Sequence, residues 1–223
     1  IQHTLQWARD YFEGVFKQSA EDVNQYLSSP NYEESLNAQQ NTKLDTLLSL
    51  RKTLVDERPY SFEDCVVWAR LRFEELFNNQ IKQLLHNFPE DQVTSGGTPF
   101  WSGTKRCPKP ITFNADDMCE DASMRNHFDF IVAASNMRAE MYGIKGSTDE
   151  DYFIKTLSNV IVPDFTPKDG VKIAANEAEA KEDGPASGGM ADDDTNAAAI
   201  LEALPKPSTM AGFRLSPIEF DKD

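Results

Sequence analysis

Three cysteines, three histidines and one loop dense in aromatic and cationic side chains are the residues of this chain whose chemistry could go beyond packing. Cys65 stands between Phe62 and Ala69 on the apolar face of a helical pattern, so a buried structural thiol is expected there. Cys107 lies in Lys105-Arg106-Cys107-Pro108-Lys109, where neighbouring cations could favour a reactive thiolate, but an inert surface-loop cysteine is expected. Cys119 is flanked by Asp116, Asp117, Glu120 and Asp121, whose negative charge opposes thiolate formation. His3, His86 and His127 are isolated in the sequence and no Cys-x-x-Cys or His-x-x-x-His pair occurs, so no metal site is expected. No Gly-x-Ser-x-Gly elbow is present, and Ser95-Gly96-Gly97 is not followed by the Lys-Ser/Thr of a phosphate loop. On chemistry alone the chain contains no complete catalytic apparatus.

Pro99-Phe100-Trp101-Ser102-Gly103-Thr104-Lys105-Arg106-Cys107-Pro108 admits two readings. Phe100 and Trp101 would pin the loop to the core. Alternatively, Phe100, Trp101, Lys105 and Arg106 would form a docking surface, since aromatics and Arg supply interface anchors.

The 223 residues suit one large domain or two small ones. Their 22 basic and 37 acidic residues give a net charge of −15, which argues against binding nucleic acid or anionic membranes. No apolar run approaches the roughly 20 residues of a membrane span. Sparse, odd-numbered cysteines point to a reducing compartment rather than a disulfide scaffold. The expectation is a soluble, acidic, intracellular protein. Both ends read as cut rather than finished, so a piece of a longer protein is expected.

Helices must position these groups. Leu5, Ala8, Phe12, Val15 and Phe16 share one helical face over residues 5 to 17, and a short helix around Val23, Tyr26 and Leu27 should end at Pro30. A third helix runs through Leu44, Leu47, Leu48, Leu50 and Leu54. The clearest covers residues 62 to 88, with Ser61 as N-cap, Asp64 as its capping-box acid and Pro89 as terminator. Another spans Met124 to Tyr142 with Gly143 as C-cap, and Ser147 with Glu150 would cap a shorter one through Phe153, Leu157 and Val160. Thr94 to Pro99 is turn chemistry, and β-like pieces occur at Val171 to Ile173, Phe213 to Leu215 and Ile218 to Phe220. Residues 174 to 194 carry seven acids against one base and almost no large apolar side chain, so a mobile loop is expected, followed by a short helix over Ala197 to Leu204. The predicted fold class is mainly α: a multi-helix domain with a small β element and a long acidic disordered loop.

Several segments resemble the eukaryotic ubiquitin-activating enzyme. They are His3-Thr4-Leu5-Gln6-Trp7-Ala8-Arg9, Gln83-Leu84-Leu85-His86-Asn87-Phe88-Pro89, Pro99-Phe100-Trp101-Ser102-Gly103, Phe130-Ile131-Val132-Ala133-Ala134-Ser135-Asn136-Met137-Arg138-Ala139, Val162-Pro163-Asp164-Phe165-Thr166-Pro167 and Gly212-Phe213-Arg214-Leu215-Ser216-Pro217-Ile218-Glu219-Phe220. They occur in the family's order and span nearly the whole chain, whereas residues 31 to 60 and 174 to 200 match poorly.

The resemblance implies that residues 1 to 223 are the second catalytic-cysteine half-domain of that enzyme. The parent would use ATP and magnesium, bound elsewhere, to adenylate ubiquitin. A cysteine would then take ubiquitin as a thioester and pass it to a conjugating enzyme. In the family that nucleophile precedes the Ile-x-His-Thr stretch, here Ile1 to Thr4, so no catalytic residue is expected within the chain, which alone should be inactive. Asn176 and Glu177 would belong to a cap over the thiol. The implied partners are ubiquitin, conjugating enzymes and the adenylation domain of the same chain, in cytoplasm and nucleus. Two alternatives stay open: a non-enzymatic helical interaction module using the Phe100-Trp101 loop and the acidic tether as docking sites, and the same domain serving another ubiquitin-like modifier.

Overall fold

A computed structural model describes residues 2–38, 42–114, 122–173 and 190–220. Residues 174–189, with Asn176 and Glu177, and Cys119 lie outside the described residues. Among the described residues the chain is helical with almost no strand: α1 Gln2–Phe12, α2 Ser19–Ser28, α3 Tyr32–Asn37, α4 Lys43–Arg51, α5 Phe62–Glu74, α6 Gln80–Asn87, α7 Ala122–Met141, α8 Glu150–Leu157 and α9 Met190–Ala203. A 3₁₀ turn follows at Pro207–Met210. The mainly α class is thereby established. α9 starts earlier than the sequence predicts, taking in residues 190 to 194 of the expected acidic loop.

The chain divides into two compact units. One comprises Ile1–Cys65, Ala134–Ser147 and Ser187–Asp223; the other comprises Val66–Ala133 and Thr148–Ala186. In the first, Val23, Leu47, Leu50, Leu54, Met141, Ile200 and Leu215 form a core with Tyr26 and Tyr32. In the second, the Phe73 ring, 1% exposed, lies 5.0 Å from Phe77, 5.9 Å from Phe130, 6.0 Å from Phe113 and 5.2 Å from His127. These separations suit edge and tilted aromatic contacts.

Three helices continue through a π turn: Glu13–Gln18 after α1, Lys52–Asp56 after α4 and Glu75–Asn79 after α5. The wider turn leaves a main-chain carbonyl without its usual helical donor, and an unpaired buried carbonyl is costly. Each π turn has a carbonyl that takes a donor from far along the chain. Phe16 O accepts the Ile218 amide at 3.0 Å, and Phe77 O accepts the Ile111 amide at 2.8 Å. Thr53 O accepts the Tyr142 hydroxyl at 2.7 Å.

The expected caps fare differently. Ser61 and Asp64 make the capping box in full: Asp64 Oδ2 accepts the amides of Tyr60 and Ser61, and Ser61 Oγ accepts the Asp64 amide. Gly143, at φ 69°, ends α7 as expected, with its amide donating to Glu140 O and that of Ile144 to Ala139 O. At α8 the cap is Asp149, whose carboxylate accepts the amides of Asp151 and Tyr152. Ser147 is diverted, because its backbone is paired with the Asn136 side chain.

The expected small β element reduces, among the described residues, to one antiparallel bridge between Val93 and Pro99. The three late pieces carry no regular secondary structure and form no ladder among the described residues. Their backbone groups are satisfied elsewhere: Leu215 N by Asn24 Oδ1, Ser216 N by Met141 O, Ile218 N by Phe16 O and Val171 O by Asn87 Nδ2. On α1, Leu5 is 66% exposed and Ala8 is also exposed, so the predicted apolar face enters the core only from Phe12 onward.

Candidate functional site

The amphipathic helix α6 gathers most of the sequence-selected residues of the second unit around its C-terminal end. Phe88, the residue after it, stacks on Phe100 with centroids 4.8 Å apart and planes 3° from parallel. Trp101 meets Phe100 edge-on at 5.0 Å, and its Nε1 donates to the carbonyls of Phe88 and Pro89 at 3.0 and 3.1 Å. Those carbonyls lie just past the end of α6, and Pro89 O also accepts the Gln92 amide. The Lys105 ammonium lies 4.5 Å from the Phe100 centroid, within cation–π range. Phe100 and Trp101 are half-buried, whereas Lys105 and Arg106 are exposed. The two aromatics therefore pin the loop, and the two cations face water.

The loop itself closes on Thr94 to Thr98. Thr94 N donates to Thr98 O, Gly97 N donates to Thr94 O, and Phe100 N donates to Gln92 O. Gly97 has φ 78°, a left-handed conformation that glycine adopts without a side-chain penalty.

A second group on α6 went unrecognised in the sequence. Gln83 exchanges two hydrogen bonds with Lys168, Nε2 to O and N to Oε1, both 2.9 Å. His86 Nε2 is 2.7 Å from Asp169 Oδ1, and Asn87 Nδ2 donates to Val171 O. The available signal was the i, i+3, i+4 spacing of three polar residues, which places them on one helix face. Together they clasp residues 168–171.

Both described thiols have their pKa raised. Cys65 is fully buried, and its pKa is pushed up from 9.0 to about 11 by burial, with Arg138 opposing and Asp64 adding. Arg138, itself 3% exposed, donates to Glu57 O at 2.6 Å and stands over the Tyr142 ring. Cys107 is half-exposed, but its pKa is also raised, by loss of water first and then by Glu90, against Lys109. The raised pKa favours the inert surface-loop reading of Cys107 over the reactive one. Lys105 stands over Phe100 and only Lys109 pulls the other way.

Of the histidines, His127 packs among the phenylalanines and His86 is 41% exposed beside Asp169; the His3 side chain lies outside the described residues. Among the described residues no three His, Cys, Asp or Glu side chains gather as a cation site, and no helix is long and apolar enough to cross a membrane.

Comparison with known proteins identifies a domain family. The model for "Ubiquitin-activating enzyme, SCCH domain" matches residues 1–223. The chain is 49% identical to Ubiquitin-like modifier-activating enzyme 1 of Dictyostelium discoideum, over 100% of this chain and 21% of that protein. It is 48% identical to Ubiquitin-activating enzyme E1 1 of Schizosaccharomyces pombe, over 100% and 21%. Against Ubiquitin-like modifier-activating enzyme 1 of Homo sapiens the figures are 44%, 100% and 20%. The chain thus spans about a fifth of the length of the curated relatives it matches.

Proposed function

Because this chain belongs to the ubiquitin-activating enzyme family, as its SCCH domain, we propose that it frames the cysteine that takes ubiquitin from its adenylate and passes it to a conjugating enzyme. The observation that carries this reading is the family match over residues 1–223. In the proposed reaction a thiolate attacks the acyl carbon of the adenylate, a carbon–sulfur bond forms and AMP leaves. A second thiolate, on the conjugating enzyme, then displaces the first. We place the attacking cysteine of the parent before Ile1, in keeping with the raised pKa of both Cys65 and Cys107. ATP and magnesium are assigned to the adenylation domain of the parent. The parent's place is cytoplasm and nucleus, where thiols are kept reduced.

Within this reading the α6 end serves as a rigid platform. Phe100 and Trp101 hold the loop, and Lys105 and Arg106 present charge to the conjugating enzyme.

The deciding experiment incubates the 223-residue chain, and separately the parent enzyme, with ubiquitin, ATP and magnesium. The chain alone should give no thiol-reducible, ATP-dependent adduct. The parent should give one that survives Cys65→Ala and Cys107→Ala and disappears when the cysteine preceding Ile1 is replaced. An ATP-dependent adduct on Cys107 would overturn the assignment.

A further inference from the structure

On the first unit, an open groove of about 870 Å³ runs between the α2–α3 junction and the segment from α9 to the 3₁₀ turn. This volume lies in the range that binds drug-sized groups, roughly 300–1,000 Å³. Tyr26, Tyr32 and Leu201 are its main apolar residues. The two tyrosine rings meet edge-on at 5.2 Å, and the Tyr26 hydroxyl donates to Pro205 O at 3.0 Å, so this part of the lining is fixed. Pro30 after α2 and Pro207 in the 3₁₀ turn add conformational restraint to the walls.

Charge gives the groove its polarity. Glu33 and Glu34 come from α3, Glu202 comes from α9, and Lys206 is the one cation among the described lining residues. The three carboxylates are exposed, and none makes an ion pair or hydrogen bond with another described residue. Of the two phenols, Tyr26 responds to a groove carboxylate and Tyr32 to one outside the lining. Tyr32 is pushed up to about 12 by burial and then by the charge of Asp22, and Tyr26 is raised by burial and then by Glu33.

We propose that this groove docks a lysine- or arginine-bearing segment of a partner protein, with aliphatic side chains against the tyrosines and cations against Glu33, Glu34 and Glu202. Electrostatic complementarity selects this occupant. A phosphate-bearing ligand would meet three carboxylates and one ammonium. A second copy of a chain with net charge −15 would bring like charge to the same rim. A metal ion is disfavoured because the described carboxylates do not converge on one point. The inference goes beyond the proposed function, since it involves neither a thioester nor the Phe100-Trp101 loop.

Fluorescence anisotropy with the 223-residue chain and a short labelled peptide of alternating leucine and lysine tests it. The combined variant Glu33→Gln, Glu34→Gln, Glu202→Gln should weaken binding at least about tenfold. A control on the second unit, Glu90→Gln, Asp91→Asn, Asp164→Asn, removes equal charge and should cost less than about threefold. A peptide of alternating glycine and lysine should bind at least about threefold more weakly than the leucine one, because it lacks apolar area. Circular dichroism melts establish that both variants fold. Equal losses in the two variants, equal binding of the two peptides, or no binding to the unaltered chain would each overturn the proposal.

Discussion

Asn24 and Leu215, 191 residues apart, are joined by two reciprocal hydrogen bonds: Asn24 Nδ2 donates to Leu215 O at 2.8 Å, and Leu215 N donates to Asn24 Oδ1 at 2.9 Å. The side-chain amide thus takes the place of a neighbouring strand's peptide group. Asn136 does the same for Ser147, and Gln83 for Lys168. Segments outside the helices are in this way held against them, with no sheet among the described residues.

Replacing Asn24 should therefore cost more than an ordinary surface substitution. Leu215 is 1% exposed, and Asn24→Ala leaves its amide and carbonyl without those partners. The expected loss is about 2–3 kcal/mol, readable in urea unfolding. Faster hydrogen exchange at Leu215 than at Ile131 would localise it. An unchanged midpoint would refute the argument.

Gly146 should not tolerate alanine. A Cβ there would come within 2.1 Å of Asn136 Oδ1, the atom that accepts the Ser147 amide. Relief requires Asn136 to turn away and abandon both bonds to Ser147. Gly146→Ala is expected to lose about 1–3 kcal/mol. Combined with Asn136→Ala, its effect should shrink, because the clashing atom is gone; a double-mutant cycle measures this.

Alkaline stability should fall in a defined window. Cys65 has its folded pKa raised from 9.0 to about 11, so its stabilising contribution is complete below 9.0 and is lost as pH rises toward 11. Across that interval the loss is about 2 kcal/mol. Tyr142, raised from 10.0 to about 12 mainly by burial, extends the decline upward by the same sign. Unfolding free energy measured from pH 8 to 10.5 should drop more steeply for the unaltered chain than for Cys65→Ala. Parallel curves would remove Cys65 as the cause.

Trp101→Phe separates pinning from packing. It keeps an aromatic ring on Phe100 but deletes the donor to Phe88 O and Pro89 O. Proteolysis between Thr94 and Lys105 should accelerate about three- to tenfold while the global melting temperature moves little. If cleavage is unchanged, the indole bonds do not hold the loop.

The long helical stretch over residues 62–87 was legible in the sequence because its periodicity, capping box and terminating proline agree. So was the pinning role of Phe100 and Trp101, which was one of two readings of that loop. The β-like pieces misled because alternation describes an extended backbone and is silent about which partner satisfies it. Leu215, Ile218 and Val171 find theirs on helices. The α6 clasp escaped because Gln83, His86 and Asn87 look like an ordinary polar face until Lys168 and Asp169 are beside them. Asn176, Glu177 and Cys119 lie outside the described residues.

The π turn at Glu13–Gln18 amounts to one residue more than the regular spiral needs. Deleting a single residue there would let α1 and α2 merge into an uninterrupted α-helix, at no loss of helix propensity. It would also swing everything before the deletion by about 100° around the helix axis. The stacked Trp7–Tyr11 pair would then face a new direction, and the carbonyl that now receives Ile218 would revert to its own helix. At this position chain length, more than residue identity, determines which way the N-terminal helix faces.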